Sequence, residues 1–224
     1  MEVFESWPEY KLPSGYRLIE IDLTVLFPAA FSILNTWDQQ KLYTVLMSEG
    51  HLNNKTIKYM LSDIENLNKT SQEACLLWAL HGCLVPWQKI IRKGVGGKKH
   101  VTPFTIKDSQ NALIMIRPSI EPLEESIRVL TEEKTPIQPF IIIIGKDIKN
   151  VNDIFVYFDA IQFPYKSVVR APDICFKIFH VFNLEYPISC ETFWTFMEMC
   201  YFEMPVKSNF PKVNILCNAI KINK

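Results

Sequence analysis

The chain has 224 residues, enough for one large domain or two small ones with a hydrophobic core of their own. Apolar residues make up 48% and charged residues 21%, which excludes an intrinsically disordered chain. With 24 basic and 24 acidic residues the formal net charge is zero, which excludes a global pull toward nucleic acid or an anionic membrane and leaves only local patches.

The first dozen residues read as a loosely held terminus. They carry Glu2, Glu5 and Glu9 and lack a basic stretch followed by an apolar one, so no secretory signal is expected. Residues 16–26 alternate apolar and polar side chains, which predicts a short strand or an extended lead-in. Phe27-Pro28 then opens a short helix that runs to Ile33. Asp38 caps a helix over 39–48, with Gly50 as its stop. Asn54 caps a second over 55–66, on which Ile57, Met60, Leu61 and Ile64 share a face. Ser71 starts a third over 72–84, apolar on nearly every side and therefore central to this half. Region 1–91 thus reads as a mainly helical region, a small bundle.

Residues 92–103 hold three of the seven glycines among Arg92, Lys93, Lys98 and Lys99. They read as a basic, glycine-rich linker or loop and as a domain boundary. In region 104–224 the period changes. Strands are expected over 112–116, over the β-branched run from Phe140 to Ile144, and over 154–158, with 161–165 closing a hairpin through Asp159-Ala160. Ser119 caps a helix over 120–133. Asp173 caps a helix over 174–183 and Ser189 a helix over 190–202, with Pro187 between them; the tail near Val213 reads as a last strand or docked segment. The predicted fold class is α+β: an N-terminal small helical bundle, then a small mixed β-sheet packed with helices, including a C-terminal aromatic helical hairpin.

The apolar strand ending in Gly145, the helix Cys175-Phe176-Lys177-Ile178-Phe179, the break Asn183-Leu184-Glu185-Tyr186-Pro187 and a following helix with Trp194 form a recognisable series. Over residues 111–202 it resembles an uncharacterised group of animal proteins, with an association with mobile elements as the further expectation. The resemblance implies that this block is one folded unit and implies no function.

No catalytic or metal-binding pattern survives inspection. Gly97-Lys98 is followed by Lys99 instead of Ser or Thr, and Arg92 stands where a phosphate loop has its first glycine. The segment is better read as a solvated basic loop, or as one that contacts nucleic-acid phosphates through Arg92, Lys93, Lys98 and Lys99. Asp147, Asp153 and Asp159 flank predicted strands as metal-binding acids of hydrolases do, but turn chemistry explains them equally. The four histidines are scattered and no C-x-x-C occurs. Cys175 and His180 are five residues apart on one helix and point about 140° apart, too far for a nucleophile and its base. No cofactor is expected, and the chain is read as leaning away from an enzyme. The longest apolar runs, Phe140–Gly145 and 174–184, are too short to span a bilayer. Six cysteines in apolar helical segments favour a reducing compartment, so the expected location is intracellular, cytoplasmic or nuclear.

The aromatic hairpin is the strongest feature. Its helices are apolar on almost all faces, so both must be buried on almost all faces. One solution packs one side on the sheet and the other on neighbouring helices. The other leaves Phe176, Phe179, Phe182, Tyr186, Trp194 and Tyr201 as a surface for a second copy or a protein partner. The sequence therefore predicts a non-enzymatic interaction or scaffold module, homodimeric through these helices. A nucleic-acid-associated protein is the alternative, and a metal-dependent hydrolase comes third.

Overall fold

Helices and a four-stranded sheet share one contiguous core in the computed structural model, which describes residues 5–30, 32–48, 50–93, 99–120 and 138–222. The expected helix over 120–133 falls mainly outside the described residues. The fold is α+β, as the sequence predicts.

Helix α1 is Tyr16–Leu26, where the sequence suggests a short strand or an extended lead-in. Ile19 and Leu23, four residues apart, are its buried side chains. That spacing stacks them on one helical face, and the apparent alternation arises because the opposite face is apolar too. No helix opens at Pro28; one turn, α2 (Ile33–Thr36), follows only after Ser32, whose hydroxyl caps it through Leu34 N–H. Helix α3 (Gln39–Met47) starts at Asp38 and α4 (Lys55–Ser62) at Asn54, as predicted, each side chain accepting a backbone N–H of the first turn. A 3-10 turn, Ile64–Asn66, extends the latter. The central helix, α5 (Lys69–Cys83), begins three residues earlier than expected, because Asn68 rather than Ser71 is its cap. Gly82 on α5 lies close beneath Leu52 and Ile57, where an added Cβ would come within 2.7 Å of both side chains.

Of the expected linker or loop over 92–103, the described residues lie in two antiparallel strands, β1 (Lys89–Lys93) and β2 (Lys99–Pro103), and 94–98 lie outside the described residues. Helix α6 (Ile106–Leu113), started by a capping box between Thr105 and Asp108, leads into β3 (Ile114–Arg117). The sheet continues through β4 (Phe140–Gly145), β5 (Val151–Phe158) and β6 (Ile161–Tyr165) in the order β3-β4-β5-β6. Strand β3 is parallel to β4 and the remaining pairs are antiparallel. Every residue of β4 is buried, as its unbroken β-branched run predicts. Ile141 and Ile143 face the main core, while Phe140, Ile142 and Ile144 join Tyr157 on the other face. The register shifts at Gly145, where a Cβ would lie 1.8 Å from the Asn150 carbonyl oxygen, so only glycine fits. Asp159 and Ala160, both at positive φ, close the β5–β6 hairpin as the sequence predicts.

Three helices complete the chain: α7 (Arg170–Val181), α8 (Glu191–Cys200) and α9 (Pro211–Ile222). Asp173 is not the cap of α7 but lies inside it, fully buried, where Ser32 Oγ donates to it at 2.9 Å and Lys177 Nζ at 2.6 Å. Ser189 does not cap α8 either; it sits in a 3-10 turn, Ile188–Cys190. The tail, expected as a last strand or docked segment, is a docked helix, α9, and it packs on α8 and α3.

Candidate functional site

The six aromatic residues expected at a contact surface are largely interior. Phe176, Phe179, Trp194 and Tyr201 are buried, and Phe182 and Tyr186 are half-buried. Phe176 stacks on Phe202, Trp194 meets Phe179 edge to face, and Tyr186 stacks on Trp194. Their second side is covered by this chain's own helices: α1 and α2 lie on α7, and α9 lies on α8. Each such ring contributes about 1.5–3 kcal/mol by leaving water, so the cluster is a core before it is anything else.

Of the basic positions, Arg92 and Lys93 lie on β1 and Lys99 on β2, with Arg92 opposite His100 and Lys93 opposite Lys99; Lys98 lies outside the described residues. The carboxylates of the hydrolase reading do not converge. Asp147 accepts from Lys149 N–H and Asn150 Nδ2 in a turn, Asp153 sits on β5 and Asp159 in the turn beyond its far end. Six residues of strand separate the latter two by about 20 Å. Among the described residues no group of three His, Cys, Asp or Glu side chains could hold a metal ion. All six cysteines are buried and none is in a disulfide, and burial pushes the thiols of Cys75, Cys83 and Cys190 up to about 12, away from nucleophilic thiolates.

One polar constellation emerges that the sequence does not signal. His180 on α7, Tyr186 in the following loop and Glu198 on α8 meet in a cleft of about 510 Å³ that Phe27 and Ile188 also line. His180 Nε2 lies 3.0 Å from the Tyr186 hydroxyl and 3.8 Å from a Glu198 carboxylate oxygen. Burial lowers the pKa of His180 and raises those of Tyr186 and Glu198. All three groups are thereby held toward their uncharged forms. They tie α7 to α8. They are separated by six and twelve residues, across two helices and a loop, so no short motif could have revealed them.

An exposed apolar surface lies on α1, opposite its buried face. Ile21 is 59% and Val25 73% exposed, with Leu26 at the helix end and Trp7 and Leu12 exposed just before it. Leu18, half-buried, continues the row. Arg17 borders this row on one side and Asp22, which accepts the Tyr10 hydroxyl, on the other. Glu20 is turned away from it, toward Arg170 and Lys177.

Compared with protein-family models, with curated proteins and with solved structures, the chain matches none. No described helix is long and apolar enough to cross a membrane.

Proposed function

We propose that the chain is a non-enzymatic protein–protein interaction module that associates with itself, and that the outer face of α1, rather than the aromatic helices, is its contact surface. The observation that carries this reading is the row Leu18, Ile21, Val25 on a helix whose opposite side is already buried against α7. Apolar side chains in a contiguous exposed row are what interfaces bury. Buried cysteines outside any disulfide further support a reducing, intracellular setting. Sedimentation of the full chain over a wide concentration range tests the reading. Self-association that Ile21→Glu abolishes, with melting temperature unchanged, is the expected result. A wild-type chain that stays monomeric at several hundred micromolar would remove it. The substitution is safe for folding because exposed positions typically change stability by no more than about 0.5 kcal/mol.

The β1–β2 hairpin favours a second reading. Between residues 89 and 103 the sequence has five Lys or Arg and no acid, and four of them, Lys89, Arg92, Lys93 and Lys99, fall at positions of a two-stranded antiparallel ribbon. Such a ribbon fits a nucleic-acid groove, and its cations would contact phosphates. Binding to duplex DNA at low salt that weakens steeply as salt rises is expected on this reading; no binding at low salt would eliminate it.

A further inference from the structure

We infer that the occupant of the α1 face is a second copy of the chain, set parallel to the first about a two-fold axis, with Arg17 of one protomer beside Asp22 of its partner. The inference rests on the reading above and adds partner orientation and pairing to it.

Leu18, Ile21 and Val25 are spaced three and then four residues apart, the pattern of a seam between two helices. At about 100° per residue the three fall within an arc of about 60°. Asp22 lies about 40° beyond the Leu18 edge of that arc, and Arg17 about 40° beyond the Ile21 edge. They therefore occupy the two opposite flanks of one stripe and cannot reach each other across it on the same helix.

Orientation decides what these flanks meet. In a parallel pair the flank ahead of one seam faces the opposite flank of the partner, five residues along, which is the separation between Arg17 and Asp22. The pair then forms twice, once on each side of the axis, as a two-fold interface requires. In an antiparallel pair each flank faces its own kind, so Asp22 approaches a carboxylate flank and Arg17 finds no acid. The Asp22 carboxylate accepts the Tyr10 hydroxyl and still has lone pairs for a guanidinium. Glu20, the other acid of the helix, is committed to Arg170 and Lys177 and does not compete. A three-layer seam is small, so the dimer belongs with weak, transient interfaces.

The test is sedimentation of the full chain as wild type, Ile21→Glu, Arg17→Asp and Arg17→Asp/Asp22→Arg, together with mild oxidation of Val25→Cys. Expected are a roughly tenfold weaker association for Arg17→Asp, recovery in the double variant, and a disulfide-linked dimer of Val25→Cys, because parallel register sets that position against itself. Circular dichroism establishes that each variant is folded; should the double variant unfold through loss of the Tyr10 contact, the Val25→Cys result decides. Association that Ile21→Glu abolishes, but that ignores Arg17→Asp and yields no Val25→Cys link, overturns the parallel pair and leaves the interaction module standing. Association indifferent to Ile21→Glu, or none at any concentration, overturns both.

Discussion

The imidazole of His81 on α5 lies flat against the ring of Phe193 on α8, with centroids 4.6 Å apart and planes within 3°. The contact joins the helical region to the aromatic hairpin. His81 Nδ1 is 2.8 Å from Ser109 Oγ, and its buried Nε2 has no partner among the described residues. Full burial lowers the pKa of His81 to about 3. The ring is neutral wherever the protein is folded near neutral pH.

That neutrality makes stability depend on pH. Between the ordinary value of 6.5 and about 3, the unfolded chain takes up a proton that the folded chain refuses. Stability therefore falls as pH drops through this window, by as much as about 1.4 kcal/mol per pH unit. His81→Phe keeps the stacked ring and cannot be protonated, at the cost of the Ser109 bond, worth about 1 kcal/mol. Urea unfolding near pH 7 and near pH 5 should show the wild type losing about 2 kcal/mol more than the variant between the two. Equal losses would mean that His81 is protonated inside the folded protein.

Asp173 and Lys177 make a second buried polar dependence. The carboxylate is fully buried and is held by Ser32 and Lys177, whose ammonium also reaches Glu20 at 3.4 Å. Removing one partner leaves the other charge in the interior, so Asp173→Leu should destabilise by about 3–5 kcal/mol. Replacing both, Asp173→Leu with Lys177→Met, should cost clearly less than the single change, because no charge is then stranded. A double-mutant cycle in urea checks the sign. A double variant as unstable as the sum of its parts would show that the two residues act independently.

The part of the fold legible in the sequence is the part dictated locally. Asp38 and Asn54 cap helices because their side chains satisfy first-turn N–H groups whatever surrounds them. The β-branched run Phe140–Gly145 could only be an inner strand, and Asp159-Ala160 only a tight turn. The strand readings of residues 16–26 and of the tail fail for one physical reason. Their apolar side chains lie on more than one side of a helix, and a short stretch of this kind imitates a strand. Those two elements, α1 and α9, are also what covers the aromatic helices. A small sheet alone cannot cover both sides of two helices, and that is why the sequence suggests an open surface at Phe176 and Trp194. The His180–Tyr186–Glu198 cluster was illegible for a different reason: it exists only once α7 and α8 are packed.

That cluster yields the last expectation. Burial raises the pKa of Glu198, and the Tyr186 hydroxyl directed at it only partly offsets this. A raised carboxylate means that the folded chain holds its proton at pH values where the unfolded chain has released it. Stability contributed in the protonated form is present below the ordinary carboxylate range and is lost as pH rises through the folded pKa. Glu198→Gln cannot ionise and still offers Tyr186 an acceptor. It should therefore melt at the same temperature as the wild type or higher near pH 7, and the difference should shrink near pH 4. Glu198→Leu removes the acceptor as well and should fall below both, because the Tyr186 hydroxyl then loses one of its two partners and keeps only His180 Nε2. If Glu198→Gln were the less stable protein near pH 7 and recovered in acid, the carboxylate would be stabilising in its charged form. His180, 3.8 Å away, would then be the group to examine for a retained proton.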